Sequence, residues 1–222
     1  MIIKRIKLNR ILSQAQHYIF DVDETLYHEE RFFKERKKYY LDWYVKNSKI
    51  GRDEAIKDFL KKQKEGKRFI EICFEISGSF SKVQNESLGK INVSKFVKHH
   101  QMLVNFINNL QGTKLIFSDA PLISIIDTLK SIGIKKPEDV FHQIYSIDNF
   151  ELPKPNLSSL EKIIRDHKID VSKCVMVGDS NVFDISPAKS LGMKTLHINV
   201  RREHSDADFT FSNIDELISN VT

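Results

Sequence analysis

Short apolar runs punctuate the chain, and from about residue 112 onward each is followed by a segment whose apolar residues fall at helical spacing. Tyr18-Ile19-Phe20 is the first such run. The later runs predict strands at 113–118, near 143–146, at 174–178 and at 194–199. Between them the pattern predicts helices at about 122–131, 157–167 and 184–191. Strands alternating with helices give an α/β fold, a Rossmann-like parallel sheet with helices on both faces. Ligands of such sheets bind beyond the carboxyl ends of the strands.

Residues 27–111 break this rhythm and read as helical, so the chain divides into a core of 1–26 plus 112–222 and an insert of 27–111. Phe33, Tyr40 and Tyr44 recur at helical spacing beside Trp43, a stripe expected to pack in the core rather than stack on a nucleobase. Further helices are expected at about 53–65 and 95–110, with loops around Gly78 and Gly89.

Four groups of polar residues follow predicted strands. Asp21-Val22-Asp23-Glu24-Thr25 ends the first apolar run. Side chains alternate along a strand, so the two aspartates can leave its tip on the same side, one to attack and one to handle protons. A calcium loop is excluded, because Leu26 stands where an EF-hand needs glycine. Ser118, after Lys114-Leu115-Ile116-Phe117, can donate to a phosphate oxygen without adding charge. Taken alone it serves equally as the N-cap of a helix starting near Pro121, whose backbone amides could add anion donors. Lys154 sits between Pro153 and Pro155, which restrict its backbone. Its ammonium could neutralise a phosphate and a carboxylate together. Val175-Met176-Val177-Gly178-Asp179-Ser180 ends another strand, with Asp184 just beyond. Gly178 suits a tight turn, and Asp179 and Asp184 supply hard oxygen ligands suited to magnesium.

Bulk properties narrow the picture without deciding it. A chain of 222 residues with 41% hydrophobic content can bury a core with a modest insert. No stretch of about 18 apolar residues exists, so no membrane partner is expected. The opening Ile2-Ile3-Lys4-Arg5 lacks the continuous apolar region of a secretory signal and reads as a short structural arm, with a weak amphipathic targeting helix as the other possibility. Cys174 begins an apolar strand and reads as a buried thiol, which fits a reducing, cytoplasmic compartment. The net charge of +5 is uneven: residues 27–112 carry 18 basic against 11 acidic side chains. Solvated helix faces account for such an excess, and attraction of an anionic substrate is the functional alternative. Nucleic acid is not the expected partner, since a basic insert alone does not establish one.

Asp21-Val-Asp23-Glu-Thr25, Ser118, Lys154 and Gly178-Asp179-Ser-Asn-Val-Phe-Asp184 together closely resemble the haloacid dehalogenase-like (HAD) superfamily. Leu129–Gly133 and Ala188–Gly192 are similar to the family's helix endings, with both glycines suited to C-caps. Residues 23–27 and 140–148 look most like its pyrimidine 5′-nucleotidase branch, although Asp184 stands where relatives in that branch often carry Asn. The insert resembles the helical cap of the superfamily's first cap class.

The resemblance implies a magnesium-dependent phosphohydrolase. Asp21 would be the nucleophile and Asp23 the acid and base. The metal would be held by Asp21, the Asp23 backbone carbonyl, Asp179 and Asp184, and the phosphate by Ser118 and Lys154. Thr25, Asp119 and Ser180 would support the loops. The partner implied is a small phosphorylated metabolite, with a nucleoside monophosphate first and phosphosugars next. Phosphomutase chemistry keeps the same residues. A non-catalytic binding or regulatory protein on this fold is the alternative of another class. Oligomeric state is left open.

Overall fold

The computed structural model describes residues 2–221. Helix α1 (Ile2–Gln14) leads into strand β1 (His17–Phe20). Four helices follow: α2 (Glu30–Asn47), α3 (Arg52–Lys64), α4 (Phe69–Ser77) and α5 (Phe80–Glu86). After two short 3₁₀ turns comes α6 (Gln101–Asn109). The rest alternates: β2 (Thr113–Phe117), α7 (Leu122–Ile132), the short α8 (Pro137–Val140), β3 (Gln143–Tyr145), α9 (Leu157–His167) and β4 (Cys174–Gly178). It closes with α10 (Ser186–Ser190), β5 (Lys194–Ile198), β6 (Phe209–Phe211) and α11 (Ile214–Val221).

All six strands are parallel, in the order β3-β2-β1-β4-β5-β6. The order reverses between β1 and β4, the position at which such sheets open a crevice. Phe20 pairs with Ile116 on one side and Val177 on the other, so the three strand tips end level. The period of two is visible in the core. Tyr18, Phe20, Ile116, Val175 and Val177 face one apolar cluster, while Ile19, Leu115, Phe117, Cys174 and Met176 face the other. Burial on both faces is why these strands read as unbroken apolar runs. Cys73 and Cys174 are both free, buried thiols, pushed up to about 12 by burial.

Several elements differ from expectation. The opening segment, expected as a short structural arm, is a helix of more than three turns anchored by Leu8 and Leu12. The helix expected at 95–110 starts only at Gln101, because His100 caps it: its ring accepts the Leu103 N–H. Gly89 lies in a 3₁₀ turn, whereas Gly78 ends α4 with a φ of 65°. Residues 181–185 form a π-helical turn ahead of α10. Tyr40, Trp43 and Tyr44 are buried as expected, but Phe32 takes the buried place expected of Phe33, which lines a cavity instead. Among the described residues no helix is long and apolar enough to cross a membrane.

Asp148, in the 3₁₀ turn after β3, ties the helical insert to the sheet. Its carboxylate accepts from Ser81 (2.5 Å) and Asn85 (2.6 Å) on α5, and from the Leu122 N–H and Ser146 hydroxyl (3.2 Å each). Desolvation alone would raise its pKa, but these donors outweigh it and hold the group below the ordinary carboxylate value. A depressed carboxylate stabilises the fold above its unfolded pKa, and that contribution disappears as pH falls through the folded value. Asp148→Ala is therefore expected to lower the urea midpoint at pH 7. The gap to the unaltered protein should narrow below about pH 4. A gap that stays constant down to pH 3 would show that the charge contributes nothing.

Candidate active site

The level strand tips bring together residues far apart in sequence. Asp21 follows β1, and its N–H donates to the Val177 carbonyl (2.9 Å), which fixes it against β4. One carboxylate oxygen of Asp21 accepts from Lys154 Nζ at 2.7 Å and the other from the Thr25 hydroxyl at 3.0 Å. Lys154 also donates to Asp184 at 2.6 Å. The second oxygen of Asp184 accepts the Ser180 N–H at 3.1 Å. Gly178 is required here by close approach rather than by a turn: a Cβ there would lie 2.4 Å from Asp184 Cβ. Ser180 also accepts the Phe183 N–H, capping the π-helical turn that carries Asp184.

Ser118 is buried after β2 and accepts the Ala120 N–H at 3.2 Å, which leaves its own O–H to donate. It does not cap α7, whose N-cap is Pro121. Asp119 accepts the Lys154 backbone N–H at 2.9 Å, so it positions the lysine-bearing loop. Asp21, Asp23, Ser118, Asp119, Lys154, Asp179, Ser180 and Asp184, gathered from four loops, line one cavity of about 200 Å³.

Asp23 lines this cavity but its carboxylate stands apart from the others. Between Asp23 and Thr25, Glu24 has a φ of 63°, an uncommon conformation for a side chain of its size. This reversal lets Thr25 reach back to Asp21 and Tyr27 to Asp23. The Tyr27 hydroxyl donates to one Asp23 oxygen at 2.7 Å, and Arg36 of α2 donates to the other at 3.1 Å. Arg36 in turn stacks on Phe32 and Phe33, with its guanidinium 5.7 and 5.2 Å from the ring centres.

The electrostatics favour a cation. Carboxylate oxygens of Asp21, Asp179 and Asp184 lie within 4.8 Å of one another. Burial is the main cause that pushes the pKa of both Asp21 and Asp179 up, with neighbouring carboxylates adding to it. Burial would lower Lys154, but Asp184 and Asp21 more than reverse this and hold the ammonium charged. One buried lysine therefore answers a cluster of three acids, of which Asp21 and Asp184 are buried and Asp179 is partly buried. A hard divalent cation fits this all-oxygen donor set.

Five further residues at the site were not expected from the sequence: Tyr27, Arg36, Arg68, His197 and Arg201. His197 is fully buried under the Asp179 loop. A carbonyl can only accept, so His197 Nε2 carries the proton donated to the Asp179 carbonyl (2.8 Å), and Nδ1 lies 2.8 Å from the Ser205 hydroxyl. Arg201 lies 3.6 Å from an Asp179 carboxylate oxygen. Arg68, at the start of α4, reaches the Lys154 carbonyl (3.3 Å) and lies 3.7 Å from Asp119. Arg36 sits in the basic cluster of residues 34–38, where its stacking on Phe32 and Phe33, four and three positions back, and its bond to Asp23 separate it from solvated neighbours.

Residues 18–198 match the family described as haloacid dehalogenase-like hydrolase. The chain belongs to this family. The match spans β1 to β5 and includes every strand tip that feeds the cavity. This haloacid dehalogenase-like hydrolase is 24% identical over 228 residues to the glyceraldehyde 3-phosphate phosphatase of Methanocaldococcus jannaschii, covering 91% of this chain and 95% of the relative. Among solved structures it resembles a HAD phosphatase from Thermococcus onnurineus, with a TM-score of 0.58, 22% identity, and 92% and 97% of the two chains covered. It also resembles a Bacillus subtilis structure solved bound to magnesium, with a TM-score of 0.55, 16% identity, and 94% and 99% covered. At these identities the solved structures establish the fold.

Proposed function

We propose that this hydrolase is a magnesium-dependent phosphatase that cleaves a small phosphate monoester through an aspartyl-phosphate on Asp21. The observation that carries this reading is the placement of Asp21. It is buried at the foot of the cavity between Lys154, Thr25 and two further carboxylates, while a second acid, Asp23, lines the same space. Asp21 attacks phosphorus as the ester P–O bond breaks, and Asp23 gives its proton to the leaving alkoxide. Asp23 then takes a proton from the water that attacks the aspartyl-phosphate, which releases phosphate and restores Asp21. Lys154 and the Ser118 hydroxyl hold the phosphoryl oxygens, and Asp119 and Ser180 hold the loops that carry Lys154 and Asp184. Asp21, Asp179, Asp184 and the Asp23 carbonyl would hold magnesium, which when bound would supply the positive charge that lets two anions meet.

The second acid favours hydrolysis of phosphate esters over dehalogenation, which lacks that partner. Retention of the full carboxylate set weighs against a retired, non-catalytic member of the family. The curated relative supports phosphosugars as substrates, and the resemblance at residues 23–27 and 140–148 supports nucleoside monophosphates. Residues 27–111 serve as a helical cap of the first class in this reading. Their helix α6 packs on α7 and α11, so the moving part would end ahead of it.

The test is phosphate release from a panel of monoesters with magnesium, including p-nitrophenyl phosphate, phosphosugars and nucleoside monophosphates. Release from small esters is expected. Transfer between positions of one sugar without release would instead identify a phosphomutase. Asp23→Asn should lower kcat by about 10²–10⁴-fold with KM changed only a few-fold, because the acid acts in the transition state. Arg36→Met should cost about 10-fold through misplacement of Asp23. If Arg36 acts through Asp23, the double variant will be no slower than Asp23→Asn alone, whereas additive losses would refute that role.

A further inference from the structure

A second cavity, of about 450 Å³, opens from the first toward the insert and shares Phe33, Arg36, Arg68, Asp119 and Arg201 with it. Its charge is lopsided. Lys67, Arg36, Arg68 and Arg201 line it, and Asp119 is the one acid among the lining residues. Arg36 is committed to Asp23, and Asp119 to the Lys154 N–H and to Arg68. The acids that pair with Lys67, Arg68 and Arg201, namely Glu75, Glu71, and Asp179 with Glu24, are not part of the lining. Arg68 lies over the Phe183 ring, 4.6 Å from its centre, and Arg201 stands 5.7 Å from that of Phe33. Aromatic support of this kind fixes a guanidinium without itself consuming N–H donors, and Arg68 spends only Nε–H on Glu71 (2.7 Å) and one N–H on the Lys154 carbonyl (3.3 Å).

Two neutral amides also line the chamber: Gln84, which accepts from the Tyr40 hydroxyl and donates to the Asp119 carbonyl (2.7 Å), and Gln63. What remains toward the insert is a positively charged chamber, placed where the leaving group must lie if phosphate occupies the strand tips.

We propose that this chamber, walled by Lys67, Arg68 and Arg201, binds a second anionic group carried by the leaving group. The preferred substrates would then be phosphate esters of hydroxy acids or bisphosphates rather than esters of neutral alcohols. The proposal rests on the phosphatase reading and narrows it. Charge of one sign in a low-dielectric cleft raises capture of the opposite charge, and guanidiniums match carboxylate and phosphate oxygens in pairs.

The experiment compares matched substrates on the intact protein with magnesium. The pairs are 3-phosphoglycerate against glyceraldehyde 3-phosphate, 2-phosphoglycolate against glycolaldehyde phosphate, and fructose 1,6-bisphosphate against fructose 6-phosphate. The first two report a carboxylate and the third a second phosphate. The anionic member of at least one pair is expected to show kcat/KM at least about 10-fold higher, with an advantage that shrinks as salt rises. Arg68→Gln and Lys67→Met should each pull that ratio toward one. Equal kcat/KM within all three pairs, or a ratio untouched by both variants, overturns the proposal while leaving the phosphatase reading intact. Failure to hydrolyse any ester, p-nitrophenyl phosphate included, would remove that reading and the proposal with it.

Discussion

Asp21→Asn is expected to reduce turnover by about 10⁴-fold or more while leaving a folded protein, an effect of the size seen when a nucleophile is removed from a unit that acts together. Asparagine keeps the shape of the side chain, and its oxygen can still accept from Lys154, as the Asp21 carboxylate does at 2.7 Å. Its amide would face the Thr25 hydroxyl, which now donates at 3.0 Å and can rotate to accept. Packing and hydrogen bonds are therefore largely kept, and a buried charge that burial disfavours is removed. What is lost is the lone-pair nucleophile. Acid-quenched wild-type enzyme should carry phosphate on Asp21 during turnover, and the variant should carry none. More than a few per cent of the wild-type rate in Asp21→Asn, or a phosphorylated variant, would end the aspartyl-phosphate reading.

How much of this site could be read in the sequence follows from its geometry. Asp21, Ser118 and Asp179 each come directly after a strand buried on both faces. Such strands appear as unbroken apolar runs, so their ends are marked by the first polar residues. Parallel pairing in register then turns separate sequence marks into one spatial cluster, with Phe20 level with Ile116 and Val177. The arginines leave no such mark. Arg36 and Arg68 sit on insert helices among many lysines, and their partners, Asp23 and Asp119, lie 13 and 51 positions away. His197 is hidden for a different reason: it occupies an inward position of β5, where a histidine looks like any core residue until the Asp179 carbonyl is seen above it.

The fold shows the same division. Elements with a strong local period were placed to within a residue or two, as with α7, α9, β4 and β5. Those whose register depends on a distant surface were missed. Strand β6 is three residues long and pairs only along β5, and α11 follows it onto α6 and α1. Helix α1 leaves Ile2, Ile3 and Ile6 exposed while burying Leu8 and Leu12, so apolar residues ring it and no single stripe announces a helix.

Magnesium removal is the other change expected to take activity to background, and it has a readout independent of turnover. Asp21, Asp179 and Asp184 crowd their oxygens within 4.8 Å, with Lys154 the one buried cation among them. No histidine or cysteine joins this set, since His197 is spent on the Asp179 carbonyl, and oxygen donors alone favour a hard cation over zinc. A ligand that binds only the folded state stabilises it by about 2.7 kcal/mol at 100 times its Kd. For a chain of this length that corresponds to roughly 5–10 °C in Tm. Asp179→Asn should change stability in opposite directions with and without metal. Metal-free, it removes a carboxylate whose charged form is disfavoured by burial and by its neighbours, so Tm should rise. With magnesium, the Tm gain should largely vanish, because a charged ligand is gone. Wild-type activity in a chelated sample, or an undiminished magnesium-induced Tm gain in Asp179→Asn, would show that these carboxylates hold no metal.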